Sequence, residues 1–141
     1  MNTHGSAHWQ GGIKDGKGSI STKSGALSAY PYGFASRFEG KPGSNPEELI
    51  GAAHSACFTM ALSLILGEAG FTAESMQTTA TVTLDKVGDG YSITAVALVL
   101  EAKIPGVDQE TFAKLTGMAK AGCPVSKLLK AEISLDAKLL A

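Results

Sequence analysis

Leu49 to Leu66 is a run of 18 residues without one Lys, Arg, Asp or Glu, and it limits the possible folds more than any other feature. A stretch this long approaches the length that spans a bilayer. It also holds His54, Ser55, Thr59 and Ser63, with small residues at Gly51, Ala52 and Ala53. No Lys/Arg cluster or aromatic belt flanks it, as membrane spans usually require. The expectation is a long helix buried on most sides in a soluble protein, with no membrane as partner. Its start is clear. Asn45 can act as N-cap, Pro46 suits the first helical position, and Glu48 at the third completes a capping box. Glu47 and Glu48 also favour the positive end of the helix dipole. Gly67 and Gly70 mark the end, so a helix to Glu68 would be about 36 Å long.

The other elements surround this helix. Ser6–Gln10 and Lys17–Thr22 are expected strands, and Pro31-Tyr32-Gly33 is expected to break the chain. The alternation across Phe34-Ala35-Ser36-Arg37-Phe38-Glu39 predicts another strand. Two long strands follow, Met76 to Val87 and Tyr91 to Lys103, turned by Gly88-Asp89-Gly90. A helix from Asp108 to Lys120, a short one from Pro124 to Lys130, and a strand over Glu132–Leu139 complete the chain. This order predicts the α+β class, a mostly antiparallel sheet with a long central helix. At 141 residues the chain fits one domain, 1–141. A net charge of −1 leaves no polybasic face, so nucleic acid is not an expected partner. The first residues, Met1 to Ser6, carry neither a basic start nor an apolar stretch, so no secretory leader is expected. Two cysteines are too few for a disulfide scaffold and favour the reducing cytoplasm.

Those cysteines carry the chemistry. Cys123, in Gly122-Cys123-Pro124, lies where one helix ends and another opens, a setting that favours thiolate. A small buried residue at a helix junction is the plainer reading. Cys57 sits three turns into the apolar helix, where burial alone would raise its pKa. A cation must reach it if it is to react. Arg37 is the only arginine, set between Phe34 and Phe38. It is either an exposed surface residue or a held guanidinium, and if buried it needs a carboxylate. Glu47 is ten residues before Cys57, about 80° round an ideal helix, whereas Glu48 points to roughly the opposite side. Axially, Glu47 and Cys57 stand about 15 Å apart. They can cooperate only through a long bridging arginine, a bent first turn, or a second subunit. His54 and Cys57 could be half a zinc site, completed by His8 and Cys123, but such spacing is usually tighter with paired ligands in each half, and a core or interface histidine fits better. Cys-His nucleophilic catalysis lacks an obvious orienting Asn or Asp.

These residues, in this order, resemble the OsmC/Ohr family of osmotically inducible and organic hydroperoxide resistance proteins, on its OsmC branch. The resemblance rests on Pro31-Tyr32-Gly33-Phe34, Ser36-Arg37-Phe38-Glu39-Gly40, Asn45 through Phe58, Leu84-Asp85-Lys86-Val87 and Lys120 through Ser126. It implies an intertwined α+β homodimer with two long central helices back to back and sites at the subunit interface. It also implies a thiol peroxidase without cofactor or metal, in which Cys57 is peroxidatic, Cys123 resolves it, and Arg37 with Glu47 complete the site. Its implied partners are a hydroperoxide, organic more than hydrogen peroxide, and a dithiol reductant such as a lipoylated protein. The competing readings are a thiol redox sensor or binding module without turnover, and a structural metal protein.

Overall fold

A computed structural model describes all residues from Met1 to Ala141, and the chain divides into two compact units, Met1–Leu49 and Ile50–Ala141. In the first unit, β1 (Gly5–Gln10), β2 (Lys17–Thr22) and β3 (Tyr30–Tyr32) form an antiparallel sheet in that order. Trp9 and Tyr32 flank β2, their ring centroids 5.6 Å apart. Gly18 leaves room for them, since a Cβ there would come within 2.7 Å of the Trp9 ring.

Two local expectations fail here. The expected break at Pro31 is strand β3, with Pro31 opposite Ser19. Proline is tolerated because β3 is an edge strand and its missing N–H has no ladder partner to satisfy. The expected strand at Phe34–Glu39 is a short helix, α1 (Phe34–Phe38). Ser36 decides this. Its Oγ accepts from the Gly33 N–H (2.9 Å) and donates to the Ser44 carbonyl (2.8 Å), which folds the chain back on itself. Phe34 and Phe38, four residues apart, then stack with centroids 5.0 Å apart, a helical spacing that also mimics strand alternation.

The long helix α2 (Pro46–Glu68) begins in the first unit and continues through the second. Asn45 Oδ1 accepts from the Glu48 N–H at 2.8 Å, as its N-cap position requires. The helix ends in a Schellman turn. Phe71 N–H donates to Leu66 O (2.8 Å), Gly70 N–H donates to Gly67 O (3.1 Å), and Gly70 has φ +87°.

In the second unit, β4 (Ser75–Val87) and β5 (Gly90–Lys103) form the expected hairpin, with an irregularity at Thr83/Leu84. Asp108 caps α3 (Gln109–Gly122) through the Thr111 N–H at 2.6 Å. α4 (Pro124–Leu128) stops two residues earlier than expected because Leu129 turns extended. The crossover through α3 and α4 brings β6 (Glu132–Leu139) alongside β5 in parallel, giving the order β4-β5-β6. Three of the four strand pairings remain antiparallel, so the α+β expectation stands.

Phe58, Leu62 and Leu66 of α2 meet Val96, Leu98 and Leu100 of β5 and Phe112 of α3 in the core. Only one side of α2 is covered. Gly51, His54, Phe58, Leu62 and Leu66, spaced three or four apart, are buried, whereas Met60 is 76% and Leu64 65% exposed. In its most apolar 18-residue window only 28% is buried, which corrects the expectation of burial on most sides.

Candidate active site

Helix α2 carries Cys57 beside its buried stripe, half-covered, and the α3–α4 junction carries Cys123, fully buried. Their positions follow from local rules. Cys57 lies one residue before the core residue Phe58. Cys123 is the N-cap of α4, with φ −59° and ψ 127°, because Pro124 cannot continue α3. Neither cysteine is in a disulfide, and each is close enough to shift the other's pKa. Burial pushes the Cys57 thiol up, and its bond with Cys123 pushes it further; the Val125 N–H and the Lys127 ammonium oppose this only in part. Burial would also raise Cys123. The bond from Cys57, the N–H and hydroxyl of Ser126 and the Val125 N–H outweigh it, so Cys123 falls below the usual thiol range. The two thiols are thus pushed in opposite directions, Cys57 up and Cys123 down.

Cys57 opens onto an apolar cleft of about 460 Å³ with Met60, Ala61, Leu64, Ile65 and Pro124 on its walls. A larger opening of about 530 Å³ runs along Ser55, Thr59, Met76 and Thr78, but no titratable side chain lines it.

In the first unit, Arg37 and Glu47 form the other expected pair. Arg37 Nη2 donates to Glu47 Oε1 at 2.6 Å, and Nε lies 3.2 Å from both carboxylate oxygens. The Glu47 side chain is 11% exposed and that of Arg37 36%. The guanidinium rests over the Phe38 ring, 5.4 Å from its centroid, on helix α1 rather than the expected strand. Such a two-point clamp fixes a guanidinium in one plane while leaving its outer face free for an anion. As the helix geometry required, Glu47 is buried and Glu48 exposed.

Sequence reasoning missed the residues around Cys123. Ser126 sits three positions on, in the first turn of the helix that Cys123 caps, and that spacing was the available signal. His54 is fully buried with Nε2 2.8 Å from Ser126 Oγ. The Ser126 hydroxyl is its hydrogen-bond partner, and no group of three His, Cys, Asp or Glu side chains is placed to hold a metal ion.

The sequence model of the OsmC-like protein family matches residues 38–138. The chain is 63% identical to Peroxiredoxin OsmC of Escherichia coli over 96% of its own length and 94% of that protein's. Its fold matches the crystal structure of the organic hydroperoxide resistance protein OhrB of Bacillus subtilis with a TM-score of 0.72 and 27% identity, covering 97% of this chain and 98% of the other. An OsmC-like protein from Mycoplasma pneumoniae aligns with a TM-score of 0.77 over 100% of this chain and 99% of its own, at 14% identity, which is a likeness of fold alone.

Proposed function

The chain belongs to the OsmC-like protein family and is a peroxidase of that family, and we propose that it reduces organic hydroperoxides through Cys57 and Cys123. One observation carries the site assignment: two free thiols in hydrogen-bond reach, one opening onto an apolar cleft and the other buried behind it.

In this reading the Cys57 thiolate attacks the terminal oxygen of a hydroperoxide. An S–O bond forms, the O–O bond breaks, and two electrons pass from sulfur to the peroxide. The leaving alkoxide takes a proton and departs as alcohol, or as water from hydrogen peroxide, leaving Cys57 as sulfenic acid. The Cys123 thiolate then attacks the Cys57 sulfur, an S–S bond forms, and the hydroxyl group takes a proton and leaves as water. A dithiol reductant, with a lipoylated protein as the candidate, reopens the disulfide by exchange. The apolar walls of the cleft favour alkyl over hydrogen peroxide.

Cys57 is held above its usual pKa inside its own unit, so first attack needs a cation. We assign that role to Arg37, clamped by Glu47, which would also stabilise charge on the peroxide oxygens. The working form is a homodimer, in which the bare apolar side of α2 is covered by its counterpart and the sites lie at the interface. The exposure of Met60 and Leu64 supports this. The whole of 1–141 acts as a single OsmC-like domain in the cytoplasm; the family match crosses the boundary between the two units.

The test is a panel of alkyl and hydrogen peroxides with several dithiols, run on the wild type, Cys57→Ser and Cys123→Ser. Multiple turnovers by the wild type, with sulfenic acid trapped on Cys57 in Cys123→Ser, are expected. A halt after one turnover with every dithiol would make the chain a redox sensor, and sulfenic acid on Cys123 in Cys57→Ser would reverse the roles.

A further inference from the structure

Resting on that reading, we propose that Ser126, backed by His54, is a positioning residue for the second chemical step, holding the Cys123 sulfur as the nucleophile that closes the disulfide. Three observations meet at this point. His54 is fully buried on α2, and its Nε2 lies 2.8 Å from Ser126 Oγ. Its other ring nitrogen, Nδ1, is buried without a partner. Ser126 in turn is the third residue of the helix that Cys123 caps, and its N–H and hydroxyl act to lower the Cys123 pKa.

A serine hydroxyl has one proton, and these contacts fix where it points. If Ser126 donates to the Cys123 sulfur, its lone pair must accept from His54 Nε2–H. That sets the tautomer: neutral imidazole, protonated on Nε2, with Nδ1 bare in an apolar environment. Burial lowers the His54 pKa and agrees with the neutral ring. In that tautomer His54 supplies no positive charge to either sulfur. Its role is to stop Ser126 from rotating, so that the hydroxyl keeps facing Cys123. The other titratable groups here are Cys57 on α2, which acts on Cys123, and Lys127 on α4, whose ammonium acts on Cys57.

The hydroxyl matters most once Cys57 is oxidised. The bond that Cys57 gives to Cys123 in the reduced pair is then lost, and Ser126 and the Val125 N–H remain to favour the thiolate. In the attack, charge leaves Cys123 as the S–S bond forms, and the departing hydroxyl group is protonated to water. Ser126 gains and loses no proton overall.

The experiment is rapid quench with mass spectrometry after one equivalent of cumene hydroperoxide, measured from pH 5.5 to 9. It separates formation of Cys57 sulfenic acid from closure to the Cys57–Cys123 disulfide. In Ser126→Ala the first step should stay within about twofold of wild type. Closure should slow roughly tenfold near pH 6, the scale of one lost hydrogen bond to a charged group. Its rate should rise at higher pH than in wild type and converge with it in alkali, because the thiolate then forms unaided. Ser126→Thr should restore the wild-type profile. His54→Met, which leaves the hydroxyl free to turn, should move the profile the same way by a smaller factor, and serves alone if Ser126→Ala does not fold. A folded Ser126→Ala with unchanged closure rate and pH midpoint overturns the proposal. So does slowing by one factor at every pH, which marks a merely structural role. A wild type that forms no Cys57 sulfenic acid sinks the peroxidase assignment first, and this inference with it.

Discussion

The two units differ in what they bury, although the second also encloses His54 and Thr116. In Met1–Leu49 the buried side chains are Ser36, Ser44 and Glu47, all polar, while every buried hydrophobic from Phe58 to Cys123 belongs to Ile50–Ala141. The first unit is held by hydrogen bonds and turns around Ser36, Gly33 and Ser44, and the second by close-packed apolar side chains. Each therefore presents its chemical groups differently. A guanidinium needs water or a carboxylate, so it belongs in the polar unit, clamped by Glu47 and open on one side. A thiol pair that must exclude water while it exchanges electrons belongs against the apolar core.

If that division is right, mutations in the two units should differ in kind. The largest effect expected is that of Cys57→Ser, which removes the attacking sulfur and should reduce peroxide consumption to background with the fold intact; residual turnover in a coupled assay would contradict the assignment. Phe58→Ala, next to that cysteine but in the core, should cost about 3–5 kcal/mol of stability in urea unfolding. Arg37→Ala should lower the rate of the first oxidation by roughly 10²–10³ while shifting the unfolding midpoint little, because the pair is partly solvated. Equal loss of stability and rate would erase the contrast between the units. Ser36→Ala should destabilise by about 1–2 kcal/mol, since it strips the partner from the Gly33 N–H and frees the Ser44 carbonyl.

The smallest effect concerns pH. Burial keeps His54 neutral below the pH at which it would protonate in the unfolded chain. The unfolded state then binds the extra proton, so stability falls as pH drops through the usual histidine range of about 6.5 towards the lower folded value. Thermal melts between pH 5 and 8 should show this slope in wild type and a flatter one in His54→Gln. Equal slopes would place His54 in contact with water.

Much of this was legible beforehand, and the failures share a cause. Asn45, Pro46 and Gly70 bound α2 because caps act through adjacent backbone groups. β6 was legible from alternation over Glu132–Leu139. Phe34 and Phe38 misled, because a spacing of four fits both a helix face and a strand face. Only the bond between Ser36 and Ser44, eight residues on, decides between them. Ser126 was overlooked for a similar reason: a serine three residues past a cysteine has meaning only once α4 turns it back toward the sulfur.

Local rules in the chain gave the bounds of the helix that carries Cys57, the β4–β5 hairpin, and the choice of Glu47 over Glu48. These depend on neighbours within a turn or two, where bond geometry leaves few options. The folded structure added that the surroundings push Cys57 up and Cys123 down, and that His54 faces a hydroxyl. Hydrogen bonds and burial act over a few ångströms of space, and distance along the chain carries no record of which groups will share that space.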